Sequence, residues 1–334
     1  MSKAYTTKEK RIRNTKYAAI ALAVILVVSG VFFMISLWEN KKEFFPEQNT
    51  FEAEENVRYR GREYKLKEDV ESVLVLGLDK FEGADAESYN NDKQSDFLML
   101  FVLDHKNESC TALHINRDTM AEMAVLGVAG DKIGTVTKQI TLAHTYGNGK
   151  EVSCRNAADA VSDLLMGISV DHYASVTMDA VSVYNDFIGG VELTVLDSFE
   201  GIDETLVKGE TVTLKGEHAL NYVRTRYGLD NSTNARRMVR QRQYLEALYT
   251  KSAELIKSDE SFVVNAGMKL ADYIVSDYSG NGLQSLAKQI SEYQFVEICE
   301  LEGRIIEGEE HIEFYPDEDS VEETVIRLFY ESVE

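Results

Sequence analysis

Ser72-Val73-Leu74-Val75-Leu76-Gly77-Leu78-Asp79 is a short apolar run closed by turn-forming residues, which is how a buried strand reads. Residues 97–103 and 111–116 have the same character. Downstream the period changes, and residues 157–166 and 179–188 repeat their apolar positions at helical spacing. Gly189-Gly190 then ends a helix before a further apolar run at 191–196. Strands alternating with helices predict an α/β or α+β sandwich, a central mixed β-sheet flanked by helices.

Upstream of that core, residues 39–70 are charged and weakly patterned, as expected of a spacer. Before it, residues 17–38 carry no charge and are long enough to cross about 30 Å of hydrocarbon as a helix. Lys3, Lys8, Lys10, Arg11, Arg13 and Lys16 precede this span, whereas Glu39, Lys41, Lys42 and Glu43 follow it. That bias predicts a cytoplasmic basic tail at 1–16, a single transmembrane helix at 17–38, and a domain at 71–334 on the outer side of the cell membrane. No small-x-small cleavage site follows Trp38, which favours a retained anchor over a signal peptide. Downstream, residues 283–293 read as helix, 295–301 as strand and 321–330 as a final helix.

The whole chain carries a formal charge of −22, and because its first sixteen residues are basic, the exported part is more acidic still. Such a balance excludes nonspecific nucleic-acid binding. Against it stand six of the fifteen arginines, gathered between Arg224 and Arg242. Arginine in place of lysine points to forked recognition of phosphate or carboxylate, the alternative being a solvated helix face stitched by salt bridges. A long helix is expected from about Thr233 past Leu255. On it Arg237, Arg240, Gln241 and Tyr244 form a stripe beside the apolar stripe of Met238, Leu245 and Leu248, placing the arginines at the rim of the core. Arg224 and Arg226 share a face with one another if their segment is extended.

Asp79 and Asp96 stand at the ends of the first two strands, where paired carboxylates can hold Mg²⁺ beside a phosphate. Arg117-Asp118 closes the third strand, suiting Arg117 to anionic oxygens and Asp118 to orienting groups or accepting a proton. The histidines show no ligand spacing, and no Walker loop or Gly-x-Ser-x-Gly occurs. Cys110, Cys154 and Cys299 allow at most one disulfide.

In chain order the motifs are strand-Gly-x-Asp, Ser-Asp, Ile-x-Arg-Asp-Thr, Gln-Ile-x-x-Ala-His-x-Tyr-Gly, Gly-Gly-Val, Gly-Glu-x-Ala-Leu-x-Tyr-Val-Arg-x-Arg and Arg-x-x-Arg-Gln. As a set, from about Ser72 onward, they resemble the LytR-CpsA-Psr family of bacterial wall proteins. The resemblance implies a membrane-anchored phosphotransferase that moves a glycopolymer, such as teichoic acid or capsule, from a polyprenyl pyrophosphate carrier to peptidoglycan. It further implies Mg²⁺ on Asp79 and Asp96. Arg117, Arg224, Arg226, Arg237, Arg240 and Gln241 would surround the pyrophosphate, above an apolar channel for the lipid within the sandwich. Four positions depart from the family pattern. Asp79-Lys80-Phe81 stands where Asp-x-Arg is common, so Phe81 takes the arginine's place, Gln94 replaces an arginine before Ser-Asp, Asn116 a proline before Arg117, and Asn234 an aspartate before Arg237. The alternative they motivate is a non-catalytic polyprenyl-phosphate-binding or regulatory protein of wall assembly.

Overall fold

A computed structural model describes residues 53–79, 93–127, 130–147, 149–225, 233–259, 261–308 and 311–333. The expected span at 17–38 and its basic tail lie outside the described residues. Among those described, no helix is long and apolar enough to cross a membrane.

The chain begins with a hairpin of β1 (Asn56–Tyr59) and β2 (Arg62–Leu66), then enters β3 (Val70–Leu78). Strands β4 (Ser95–Asp104) and β5 (Ser109–Ile115) follow, then a hairpin of β6 (Met120–Leu126) and β7 (Lys132–Gln139) and helix α1 (Glu151–Leu164). Next come β8 (His172–Thr177), α2 (Asp179–Phe187), the ribbon β9 (Val191–Thr194) and β10 (Thr211–Leu214), and α3 (Glu217–Arg224). Helices α4 (Asn234–Ser258) and α5 (Phe262–Leu270) lead to β11 (Ile274–Ser276) and α6 (Gly280–Glu292). The chain closes with β12 (Gln294–Glu300), the hairpin β13 (Gly303–Glu307) and β14 (Ile312–Pro316), α7 (Glu318–Phe329) and β15 (Tyr330–Ser332).

The main sheet runs β11-β8-β3-β4-β5-β12. Strands β3, β4 and β5 are antiparallel neighbours, whereas β8 and β12 join them in parallel, so the α+β fold with a mixed central sheet is the observed one. Leu74, Leu76, Leu98 and Leu100 are fully buried in a cluster that includes Val161 of α1 and Leu328 of α7. On the opposite side a second cluster joins Phe199, Tyr222 and Tyr244 between the β9/β10 ribbon, α3 and α4.

Two expectations differ from the fold. Residues 56–66, read as spacer, form a hairpin whose strand β2 also pairs with β15, and Val57, Tyr59, Tyr64 and Leu66 pack on the core. Charges at the intervening positions hide that alternation. Arg224 is not in an extended segment but ends helix α3, with the chain turning extended at Thr225. All three cysteines are free thiols.

Candidate functional site

Sheet register brings the sequence-distant acids together. Gly77 pairs with Phe97 and Leu78 with Ser95, which leaves Asp96 as the extra residue of a β-bulge, a device that re-aims a side chain. Asp79 follows directly on β3. Leu98 pairs with Ile115 on the other side, so Arg117 and Asp118 emerge at the same end of the sheet.

Around Asp96 the contacts are dense. Its Oδ1 forms an ion pair with Arg117 Nη1, and its backbone carbonyl accepts a bond of 3.4 Å from Arg237 Nη2. Arg117 also donates to Gln94 Oε1 at 3.0 Å, and its Nε lies 3.5 Å from Asp118 Oδ1. Asp79 Oδ1 faces Arg224 Nη2 at 3.1 Å. Although each of these two carboxylate oxygens touches a guanidinium, both are buried and neither accepts a well-directed hydrogen bond. Two hard oxygen donors on adjacent strand ends fit Mg²⁺, an ion commonly held by one or two carboxylates with phosphate and water completing its shell. Among the described residues no group of three or more His, Cys, Asp or Glu could hold a metal alone.

The other expected residues separate by depth. Arg237 is buried, and its Nη2 donates to Asn234 Oδ1 at 2.8 Å. Asp118 is buried too, accepting from Gln139 Nε2 at 3.0 Å, and Gln139 also donates to the Ile312 carbonyl at 2.7 Å. That placement suits Asp118 to fixing Arg117 and the β14 edge. Arg240 is 0 % exposed. Its Nη1 donates to Asp197 Oδ2 at 2.6 Å, its Nε to the Tyr222 carbonyl at 2.9 Å, and its Nη2 to the Thr225 carbonyl. Gln241 is buried beside it and donates to the Val223 carbonyl at 3.3 Å. The Arg237/Arg240/Gln241/Tyr244 stripe, expected at the rim, is buried, Arg240 and Gln241 finding partners in Asp197 and the end of α3, Arg237 in Asn234 and Tyr244 in Asn185. For Arg240, expected as ligand-facing, this is a correction, whereas Gln241, though buried, lines the apolar cavity described below. Arg226 lies outside the described residues.

Asp197 carried no motif, yet it anchors this region. Burial works against its charge, but hydrogen bonds from Arg236 and Arg240 outweigh that and hold its pKa below the usual carboxylate value. Two departures from the family pattern prove to be neighbours, since Asn234 Nδ2 donates to Asn116 Oδ1 at 2.8 Å. The same Asn116 oxygen accepts the Asp118 amide at 3.0 Å, shaping the turn that carries Arg117. Gln94, a third departure, supplies Arg117 with an acceptor where another arginine would repel it. Lys80 and Phe81 lie outside the described residues.

Next to this polar cluster is an apolar cavity of about 250 Å³, lined by Val75, Gly77, Phe97, Val223, Leu245 and Leu248 among others. Gly77, Phe97 and Val223 are sequence neighbours of Asp79, Asp96 and Arg224, so the cavity adjoins the charged groups. A Cβ at Gly77 would come within 2.9 Å of Phe97 Cβ and 3.1 Å of Met178 Cε, so only glycine lets these side chains close over the strand here. His144 lies deeper. Burial pushes its pKa down to about 4, and Cys154, pushed up to about 12 by burial, sits 3.6 Å from it. Both are core groups, not chemistry.

Guanidinium groups and carboxylates thus stand at the head of an apolar cavity in an α+β protein with a mixed central sheet. The model of the LytR_cpsA_psr family matches residues 37–326, and the chain belongs to that family. It is 32 % identical over 187 residues to the polyisoprenyl-teichoic acid–peptidoglycan teichoic acid transferase TagU of Halalkalibacterium halodurans, a match covering 56 % of this chain and 55 % of that one. The chain thus spans just over half the length of that relative. The Bacillus cereus TagU is 27 % identical across 69 % of this chain and 68 % of its own. Among solved structures, TagT bound to LIIa-WTA superposes with a TM-score of 0.58 at 25 % identity, covering 78 % of this chain and 90 % of the other.

Proposed function

We propose that this protein is a transferase that moves a glycopolymer, of the teichoic acid class, from a polyprenyl pyrophosphate carrier to peptidoglycan. The observation carrying the proposal is the adjacency of Asp79, Asp96, Arg117, Arg224 and Arg237 to an apolar cavity. Relatives named as polyisoprenyl-teichoic acid–peptidoglycan transferases support the same reading.

In this reading the prenyl chain enters the cavity while the pyrophosphate lies against Arg117, Arg224 and Arg237, with Arg226 as a further ligand. Mg²⁺, held by Asp79 and Asp96, would supply charge neutralisation at the phosphate oxygens. A peptidoglycan hydroxyl attacks the phosphorus that bears the glycopolymer. A new P–O bond forms, the anhydride P–O bond breaks, polyprenyl phosphate leaves, and the hydroxyl proton passes to solvent. Such a transfer depends on positioning and electrostatics more than on covalent help. Forked guanidiniums match phosphate geometry, and their partial burial strengthens each contact. Asp118 fixes Arg117 through its 3.5 Å contact and is itself oriented by Gln139. Residues 17–38 would anchor the domain at the outer face of the cell membrane, where lipid carrier and wall meet.

The test is reconstitution. Full-length protein is incubated with Mg²⁺, a lipid-linked saccharide and peptidoglycan, and the expected products are polyprenyl phosphate and labelled wall. Absence of both products with retained lipid binding would replace the transferase with a lipid-binding protein.

A further inference from the structure

Among the described residues Arg240 is the largest fully buried side chain, and it ends against backbone and not in the cavity. Its targets are informative. The last carbonyls of a helix lack intrahelical partners, and at the end of α3 they are taken up one by one. The Asn221 carbonyl accepts the Thr225 amide at 3.1 Å, Tyr222 accepts from Arg240 Nε, and Val223 accepts from Gln241 Nε2. Thr225, the first residue beyond the helix, gives its carbonyl to Arg240 Nη2. A cation at a helix C-terminus also complements the helix dipole.

The third edge of the Arg240 guanidinium is held by Asp197, which is 2 % exposed. Asp197 is gripped from its other oxygen by Arg236 Nε at 2.8 Å, and Arg236 Nη2 donates to the Leu196 carbonyl at 3.0 Å. The Phe199 ring lies 5.5 Å from the Arg240 guanidinium carbon. For Arg240 to swing toward an anion, two carbonyls would lose this donor and buried Asp197 would be left with Arg236 alone, and one new charge-assisted bond does not offset that.

Arg224 is the opposite case. It is the final residue of α3, its side chain is 55 % exposed, and it faces Asp79. Its place is set by the very turn that Arg240 and Gln241 cap.

We propose that Asp197 and Arg240 form a buried positioning pair. By capping the C-terminus of α3 they fix Arg224 at the headgroup site, and Arg240 itself does not touch the anion. The assignment rests on the headgroup reading above and deepens it, because it divides the arginines into those that bind and one that aims.

The experiment is a double-mutant cycle on the full-length chain, with geranylgeranyl pyrophosphate as the probe and its dissociation constant as the readout. Arg224→Ala is expected to weaken binding roughly tenfold, the loss of one charge-assisted contact. Asp197→Asn and Arg240→Lys are each expected to weaken it by about three- to tenfold, and to add almost nothing in the Arg224→Ala background, because they act through Arg224. A merely structural defect would weaken binding equally in both backgrounds. Direct contact predicts that the Arg240→Lys and Arg224→Ala losses multiply, and that Asp197→Asn, by releasing Arg240, leaves binding unchanged or tighter. Either result overturns the positioning role while leaving the headgroup site standing. Failure of the wild-type chain to bind the probe overturns the headgroup reading itself. If Asp197→Asn does not fold, Arg240→Lys, which keeps the charge, carries the cycle alone.

Discussion

The two faces of the central sheet come from the same strands and have opposite character. On one face Leu74, Leu76, Leu98 and Leu100 are fully buried in a continuous cluster with α1 and α7. On the other, Val75, Gly77 and Phe97 look across a cavity of about 250 Å³ toward α2 and α4. Large side chains fill the first face. On the second, a glycine in the strand, and a helix whose buried positions are occupied by Arg237, Arg240 and Gln241, leave space and polarity where a core would have neither. The packed face holds the fold together, and the open face is where a ligand can be accommodated.

Substitutions can break that division of labour. On the open face, Asp79→Ala and Arg237→Ala should lower transfer by at least about 10³-fold, the scale of a lost phosphate-stabilising group. Thermal unfolding should show both variants still folded. On the packed face, Leu100→Ala should cost about 2–5 kcal/mol in denaturant unfolding and leave prenyl pyrophosphate affinity of the folded fraction unchanged. Filling the cavity with Val181→Phe should reverse the pattern, weakening prenyl pyrophosphate binding about tenfold while changing stability by less than about 1.5 kcal/mol. Acidification probes the buried histidines. The pKa of His144 is lowered to about 4 and that of His114 to about 3 by burial, with Arg242 and Arg237 adding to the effect at His114. Their neutral folded forms therefore stabilise the protein above the ordinary histidine pKa near 6.5, and that stability is lost as pH falls toward 4. Unfolding followed between pH 7 and 4 should show a decline of at most about 1.4 kcal/mol per pH unit for each ring. The smallest effect belongs to Arg242→Ala. Its pair with half-exposed Glu300 is worth under about 1 kcal/mol, and transfer should be unchanged.

Strands β3, β4 and β5 were legible to within a few residues because they are continuous apolar runs between turns, whereas β8 and the three-residue β11 of the same sheet were not read from the sequence. Hairpins β6/β7 and β13/β14 were not, since β7 and β13 are largely exposed and carry little apolar alternation. The convergence of Asp79, Asp96 and Arg117 was anticipated from strand ends, but the bulge at Asp96 depends on register and is invisible locally. Helical spacing placed Arg240 and Gln241 in one stripe with Arg237, yet their depth depends on Asp197 and on carbonyls of a different helix. The Asn116–Asn234 bond shows the same limit, because each residue reads as a separate departure until the fold sets them 2.8 Å apart.

One measurement bears on all of this at once, the recovery of lipid from the purified full-length chain by native mass spectrometry. Wild-type protein should carry a polyprenyl phosphate or pyrophosphate, Val181→Phe should carry much less, and Arg237→Ala should carry none. A wild-type chain that binds no prenyl phosphate, copurified or added, would contradict a headgroup site above a lipid cavity.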